Sequence, residues 1–292
     1  MDERRVGVLG ATSLVGECLL PLLKQDGWRV TVFSRQAAGR SGSDGVEWRQ
    51  ILPSPQPSPA RGEGVSHWIC VAPIWVLPEH FDFLKSYGVR RLVALSSTSR
   101  FTKGDSSDRD EQAVAQRLSE SEACLLTWAE ENGIEYVILR PTLIYGRGRD
   151  KNINEIARFI RRFKFFPLLG WARGLRQPVH AEDVAAACLA ALETEGASSR
   201  AYNLSGGETL TYREMVNRVF AALGRRPLLL SVPLWIFGVA VKCLRLLPRY
   251  RHWSIAMAER MNRDLVFDHV EATRDLGFSP RPFRLEAEDL PS

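Results

Sequence analysis

Short apolar runs alternate with longer amphipathic segments through the first two thirds of the chain. The short runs have the length of buried strands, and the longer segments repeat apolar residues at helical spacing. This alternation predicts right-handed crossovers and an α/β fold built on a doubly wound parallel sheet. The predicted strands are Arg5–Leu9, Arg29–Phe33, Trp68–Val71, Arg91–Leu95 and Tyr136–Leu139, and the predicted helices are Leu14–Gln25, Pro78–Tyr87 and Asp110–Asn132.

Two segments depart from this alternation. The stretch Leu52–Gly64 contains four prolines and almost nothing to bury, which predicts an extended, mobile surface loop. After Gly207 a capping-box pattern predicts a helix over 211–223, and an apolar stretch follows over Leu228–Leu247. We therefore expect a small, mainly helical carboxy-terminal cap beside the sheet.

The composition is that of an ordinary globular protein, with 45% hydrophobic and 25% charged residues. Its five cysteines are widely spaced and form no Cys-x-x-Cys pair, which disfavours a disulfide framework and is typical of a reducing compartment. The histidines show no ligand spacing, so we expect no metal site. We see no signal peptide and no apolar run of the roughly 20 residues that cross a bilayer. A cytoplasmic protein is expected.

The net charge of +5 is unevenly distributed and collects in two basic stretches. Such stretches suit a solvated face, an anionic ligand or an anionic surface. The second stretch borders the apolar, aromatic segment Leu228–Trp253, which is either a helix of a substrate cap or an interfacial helix at the inner face of a membrane. No nucleic-acid-binding motif is visible, and we expect no such partner. The stretches contain Arg158, Arg161, Arg162, Lys164, Arg173 and Arg176, and then Lys242, Arg245, Arg249 and Arg251.

A glycine motif joins the first predicted strand to the first predicted helix. Gly10 permits a tight turn, Gly16 lets the helix pack closely on the sheet, and the helix amino terminus offers N–H groups to a pyrophosphate. Ser13 stands where the GxxGxxG pattern has its middle glycine, and its hydroxyl can donate to a phosphate. We expect a dinucleotide held by Gly10, Thr12, Ser13, Leu14, Val15 and Gly16.

The end of the second predicted strand bears on which dinucleotide is bound. An NAD(H) site uses an acidic residue there for the ribose hydroxyls, whereas an NADP(H) site uses a cation for the 2′-phosphate. Ser34 and Arg35 supply a hydroxyl and a guanidinium, and no carboxylate lies beside them. The sequence therefore predicts NADP(H) as the cofactor; the alternative is a surface arginine without a ligand.

Five segments together carry a family resemblance. They are Gly10–Gly16, Val93–Thr98, Leu139–Gly146, Gln177–Ala185 and Tyr202–Gly207. In this order and at roughly this spacing they resemble the extended short-chain dehydrogenase/reductases, the branch of NAD-dependent epimerases and dehydratases. The resemblance implies a Rossmann-type domain over residues 1–206, of which 147–176 contribute to the substrate side, and a substrate-binding cap over 207–292. It also implies that Ala72, Pro73, Ser96 and Pro141 lie along the cofactor.

The usual catalytic pair of this family is missing. In the family, a hydroxyl at the end of the fifth strand holds the reacting oxygen, a tyrosine passes the proton, and a lysine four residues later lowers the pKa of that tyrosine. Thr98 matches the hydroxyl position, with Ser97 as the second candidate; alternatively these hydroxyls satisfy backbone groups at the strand end. The family's spacing from Arg140 puts Val114 and Leu118 where the tyrosine and the lysine belong.

Other residues are candidates for the missing roles. Lys103 follows the Ser/Thr cluster and Tyr145 lies in the Leu139–Gly146 segment, so either is a candidate proton donor. The resemblance implies that Arg140 and Arg176 contact an anionic substrate. It also places His180 and Asp183 at a helix start, where we interpret Asp183 as a capping residue rather than a catalytic one.

Two functions are compatible with these features. The first is an NADP(H)-dependent oxidoreductase, or an epimerase or dehydratase, that acts on a nucleotide sugar or a related anionic metabolite. The second is a non-catalytic NADP(H)-binding redox sensor or structural subunit. The retained Thr98, Arg140 and Pro141 and the cap favour the first, and the missing pair favours the second. From the sequence we favour the enzyme. The resemblance also implies a homodimer formed through the helix Asp110–Asn132.

Overall fold

The computed structural model of the protein describes residues 4–35, 45–51, 64–233 and 255–291. The strands are β1 Arg5–Leu9, β2 Arg29–Ser34, β3 Val46–Gln50, β4 His67–Cys70, β5 Arg91–Leu95, β6 Glu135–Pro141, β7 Ile144–Tyr145, β8 Phe166–Leu169, β9 Leu175–Arg176, β10 Val179–His180, β11 Arg200–Leu204, β12 Leu210–Thr211 and β13 Leu229–Val232. The helices are α1 Leu14–Gln25, α2 Phe81–Ser86, α3 Ser99–Thr102, α4 Arg109–Asn132, α5 Asn152–Phe163, α6 Ala181–Glu193, α7 Tyr212–Ala222, α8 Ile255–Asn262 and α9 Val270–Leu276.

Seven strands form one sheet in the order β11-β6-β5-β4-β1-β2-β3, and every pairing in it is parallel. The middle strands are apolar and buried; Val6, Val8, Val30 and Val32 expose no surface. Such runs are typical of strands covered by helices on both faces. The doubly wound α/β fold expected from the sequence is therefore confirmed. Strand order reverses between β1 and β4, and ligands of such sheets bind outside the carboxyl ends of the strands at that point.

Helix α1 spans its predicted range and leads out of the glycine turn. The Ser13 side chain caps the helix by accepting a hydrogen bond from the N–H of Gly16 at 3.1 Å. The helix continues through Pro21, because Leu19 and Leu23 on its inner face are fully buried against the sheet and α6. This packing fixes the amino terminus of α1 at the carboxyl edge of β1.

Two sequence predictions need correction in this domain. The segment Pro78–Tyr87 is not one α-helix: a 3₁₀ turn over Ile74–His80 precedes α2. Proline disfavours the α conformation in the residue before it, which accounts for the tighter turn around Pro78. The edge strand β3 was absent from the prediction because Glu47 and Arg49, which pair at 2.8 Å, break up its apolar pattern. The predicted loop Leu52–Gly64 lies almost entirely outside the described residues.

The cap has its own hydrophobic cluster, which joins α5, α7, β8 and the segment around Phe283. The predicted capping box at the start of α7 is confirmed, with reciprocal hydrogen bonds between Thr211 and Glu214. The apolar stretch Leu228–Leu247 begins as strand β13, paired with β8, so a helix from its first residue is wrong. Residues 234–254 lie outside the described part of the chain. Among the described residues, no helix is long and apolar enough to cross a membrane.

Candidate functional site

The glycine turn between β1 and α1 leaves no space for a side chain. Gly10 has φ of 82°, and an added Cβ would overlap the backbone nitrogen of Ala72 and lie 2.8 Å from its Cα. A Cβ on Gly16 would lie 2.6 Å from the carbonyl carbon of Ala11. Because the Ser13 hydroxyl accepts from Gly16, its own hydrogen remains available to a ligand. A tight turn at the amino terminus of a helix is the arrangement that binds pyrophosphate in dinucleotide-binding sheets.

The sequence prediction missed a cation beside this turn. The Arg149 guanidinium pairs with Glu17 in the first turn of α1, and its Nη2 lies 3.5 Å from the carbonyl oxygen of Thr12. Arg149 belongs to the loop after β7, far from the glycine turn in sequence. Its charge is balanced by Glu17, so Arg149 adds N–H donors rather than net charge to this helix end.

The tip of β2 lies at the other end of the candidate dinucleotide site. Ser34 ends the strand, and its carbonyl accepts a hydrogen bond from the N–H of Ile51 at 3.0 Å. Arg35 follows with an exposed side chain. His80 lies close enough that Arg35 helps to lower the pKa of its imidazole, although burial is the larger cause. Arg35 is thus an accessible cation at the edge of the sheet.

The hydroxyls at the end of β5 make internal hydrogen bonds. The Thr98 hydroxyl donates to the carbonyl of Pro141 at 3.2 Å, and the Ser97 hydroxyl accepts from the N–H of Ser99 at 3.1 Å. The Ser96 hydroxyl donates to Glu122 at 2.5 Å. Thr98 can still accept a hydrogen bond, but its donor is occupied. These bonds fit the alternative that the cluster satisfies polar groups at the strand end.

Glu122 is the centre of a buried charge cluster that the sequence did not predict. This carboxylate on α4 is 2% exposed and pairs with both Arg100 and Arg140. Arg140 contributes a two-pronged contact, with Nε at 3.1 Å from each carboxylate oxygen and Nη2 at 2.5 Å from Oε2. Together with Ser96, the cluster joins α4 to the ends of β5 and β6. The Arg140 guanidinium, predicted to contact substrate, is therefore held by a carboxylate.

The positions of the missing catalytic pair carry apolar side chains of the core. Leu118 is 3% exposed and packs in the hydrophobic cluster between α4 and the sheet, and Val114 packs against the same cluster. Neither side chain can transfer a proton. The helix face that carries the family's proton relay is here part of the core.

The two candidate substitutes lie in different surroundings. Lys103 ends α3 and is half-buried; burial and the nearby Arg260 lower the pKa of its ammonium group. Tyr145 is fully buried in the cap cluster, between the rings of His180 and Phe283, and burial raises its pKa to about 12. A phenol with that pKa is a poor proton donor near neutral pH.

Arg176 is buried under the cap. Its Nη1 donates to the carbonyls of Leu175 at 2.7 Å and Arg263 at 2.8 Å, and its Nη2 donates to the carbonyl of Arg260. Burial lowers its pKa to about 10, so it stays charged near neutral pH. These bonds satisfy carbonyls at the end of α8, which a helix leaves unpaired. The predicted contact with an anionic substrate would compete with them.

His180 caps α6, whereas Asp183 does not. The Nδ1 of His180 accepts from the N–H of Glu182 at 3.3 Å, and its Nε2 lies 3.3 Å from Asp289. Asp183 instead accepts from the backbone and the guanidinium of Arg281, at 3.0 and 2.9 Å. Both residues are structural in this arrangement, and the capping role that we expected of Asp183 belongs to His180.

Comparison with known proteins connects this site to a family. Residues 80–205 match the model of the NAD dependent epimerase/dehydratase family. The whole fold matches the crystal structure of UDP-glucuronic acid 4-epimerase from Bacillus cereus in complex with NAD, with a TM-score of 0.71 and 14% identity, over 98% of this chain and 95% of that one. Over residues 80–205 the chain is therefore similar to this family, and it shares the fold of that epimerase. The resemblance inferred from five short segments is confirmed.

Two curated relatives of this chain have different named functions. One is the NADH dehydrogenase [ubiquinone] 1 alpha subcomplex subunit 9 of Arabidopsis thaliana, 28% identical over 173 residues, which are 59% of this chain and 39% of that protein. The other is the UDP-glucose 4-epimerase of Vibrio cholerae, 24% identical over 202 residues, which are 69% of this chain and 58% of that protein. The aligned part thus spans less than two thirds of either relative.

Proposed function

We propose that this protein binds NADP(H) and uses the bound cofactor as a redox sensor or structural element, without the proton relay of its superfamily. The observation that carries the proposal is a contrast within one site. The glycine turn at Gly10 would hold a pyrophosphate, whereas Leu118, at the position of the relay lysine, is buried in the core. A relative that is an NADH dehydrogenase subunit is in keeping with a non-catalytic role.

Charge supports NADP(H) over NAD(H). Arg35 would pair with the 2′-phosphate, Ser13 and the first turn of α1 would hold the pyrophosphate, and Arg149 adds further N–H donors there. The cofactor, when bound, supplies hydride transfer. The residues along the nicotinamide would be Ala72, Pro73, Ser96 and Pro141, of which Pro141 also accepts the Thr98 hydrogen bond.

Replacement of Arg35 by alanine tests this assignment. We expect Arg35→Ala to weaken NADPH binding roughly 10- to 100-fold, the equivalent of a charged hydrogen bond of about 1.5–3 kcal/mol, and to leave NADH binding unchanged. Titration of protein fluorescence with each cofactor measures both constants. Arg29→Ala, at the opposite end of β2, is the matched control and should change neither. Equal affinity for the two cofactors in the native protein would contradict NADP(H) specificity.

A catalytic role is the second candidate function, and the surroundings of Lys103 favour it. Lys103 is a half-buried lysine with a lowered pKa, five residues after Thr98, and such a group is a candidate for proton exchange with a substrate. The substrate would be a nucleotide sugar or a related anionic metabolite. Helix α4 would carry the dimer contact that the resemblance implies.

Turnover assays separate the two candidates. With NADP⁺ and UDP-glucose or UDP-glucuronic acid, we expect no reduced nicotinamide fluorescence from the native protein. If reduction does occur and Lys103 accepts the proton that the substrate hydroxyl loses, Lys103→Met lowers the rate about 10²–10⁴-fold. The native rate then rises as pH rises through a pKa below the usual 10.5 of lysine, because only the neutral amine can accept the proton. Lys85→Met, an exposed lysine on α2, controls for the lost charge. Turnover that survives Lys103→Met removes Lys103 from the mechanism.

A further inference from the structure

A group of large apolar side chains is exposed on the cap. Trp171 is 72% exposed, Leu228 61%, Leu230 56% and Phe163 48%. Single exposed apolar residues are common, but several of them on one short structural unit indicate an interaction surface. We call these four residues the cap patch.

The cap patch is built on one two-stranded unit. Strand β8 begins shortly after Phe163 and ends just before Trp171, and β13 lies parallel to it. The N–H of Phe166 donates to the carbonyl of Leu228 at 3.0 Å, and Leu230 is in register with Pro167. The aromatic residues thus stand at the two ends of β8, and the leucines lie along its neighbour.

Cations accompany the aromatic members of the patch. The guanidinium of Arg162 lies 5.3 Å from the ring centre of Phe163, and that of Arg173 lies 5.2 Å from the ring centre of Trp171. Lys164, which lies between these two arginines in the sequence, is also exposed. An aromatic ring beside a long cationic side chain suits a membrane interface, where the ring lies among the headgroups and the cation contacts phosphates.

The charge of the surrounding chain is of one sign. Residues 156–181 contain six cations and no carboxylate, and residues 215–258 contain seven cations and no carboxylate. The whole chain has a net charge of only +5, so the remainder of the molecule is acidic. Among the described residues of these two segments, five cations are exposed near the cap patch in sequence: Arg158, Arg162, Lys164, Arg173 and Arg226.

We propose that the cap patch docks on the headgroup layer of an anionic bilayer. A protein partner is disfavoured by Lys164, because lysine is depleted in protein interfaces, whereas Arg162 and Arg173 fit either kind of partner. Single-stranded nucleic acid is disfavoured because Leu228 and Leu230 offer no ring for base stacking. The inference is independent of the cofactor and of turnover.

Vesicle flotation of the full chain tests the docking. We expect the protein to float with phosphatidylcholine vesicles that contain phosphatidylglycerol, to stay behind with phosphatidylcholine alone, and to detach at high salt. A cation near an anionic surface contributes about 1 kcal/mol, so the double variant Arg162→Gln/Arg173→Gln should lower partitioning about 25-fold. The double variant Arg109→Gln/Arg117→Gln removes the same charge from exposed positions on α4 and should keep nearly native binding.

A second measurement reports contact at one side chain. Brominated phosphatidylglycerol should quench part of the tryptophan fluorescence, and Trp171→Phe should abolish that part while retaining flotation. Equal loss of flotation in both double variants would overturn the proposal, because only overall charge would then matter. The proposal would also be overturned if the native protein did not bind anionic vesicles. This holds whether or not the protein self-associates or binds single-stranded RNA through the patch. Circular dichroism of each variant checks that the fold is kept.

Discussion

Gly10→Ala should abolish useful dinucleotide binding. At φ of 82° an alanine costs about 1–2 kcal/mol, and its Cβ would overlap the backbone of Ala72. The turn must then shift and withdraw two or more N–H groups from the pyrophosphate. Each hydrogen bond to a charged group contributes about 1.5–3 kcal/mol, so NADPH affinity should fall at least about 100-fold. Fluorescence titration gives the dissociation constant.

Gly27 offers a matched control for this change. It has φ of 81°, yet an added Cβ would meet no atom within 4 Å. Gly27→Ala therefore carries the same backbone cost without the overlap, and should lower stability slightly while leaving NADPH affinity intact. If both variants bind NADPH as the native protein does, the glycine turn is not the cofactor site.

Glu122→Gln should be the most destabilising single change at the ends of β5 and β6. It leaves two guanidiniums, those of Arg100 and Arg140, without their buried counter-charge. Removing one partner of a buried ion pair costs about 3–5 kcal/mol. Because both arginines keep some solvent contact, we expect about 3 kcal/mol, or a loss in Tm of roughly 6–12 °C for a domain of this size.

Thermal unfolding followed by circular dichroism measures this loss. Glu47→Gln is the control, because Glu47 pairs with Arg49 on the exposed edge of the sheet and such pairs contribute at most about 1 kcal/mol. A Glu122 variant no less stable than the Glu47 variant would mean that the cluster adds no net stability, as some buried ion pairs do not.

The sequence predicted the parts of this protein that depend on local rules. Strand length, helical spacing and the glycine turn are set by neighbouring residues, so β1, α1 and the capping box at Thr211 were expected where they lie. Edge strand β3 and the 3₁₀ turn before α2 were not predicted. Polar residues interrupt the apolar pattern of β3, and a proline interrupts the helical pattern before α2.

The sequence alone did not predict contacts between residues that lie far apart in the chain. Arg140 and Arg176 were expected to face a substrate, but their partners come from elements 18 and 84 or more residues away. The contact between Arg149 and Glu17 spans 132 residues. One signal was readable: Glu122 is a lone carboxylate between apolar residues of α4, at positions that share its buried face. A charge there requires a buried partner.

The packing of Leu118 determines what a lysine at this position would contact. A lysine restored at this position would place an ammonium in the core, one helical turn from Glu122, whose carboxylate already serves two arginines. The new cation would be drawn to that carboxylate rather than to a tyrosine at position 114. A working relay at these positions therefore requires Arg100, Arg140 and the core around Leu118 to change together.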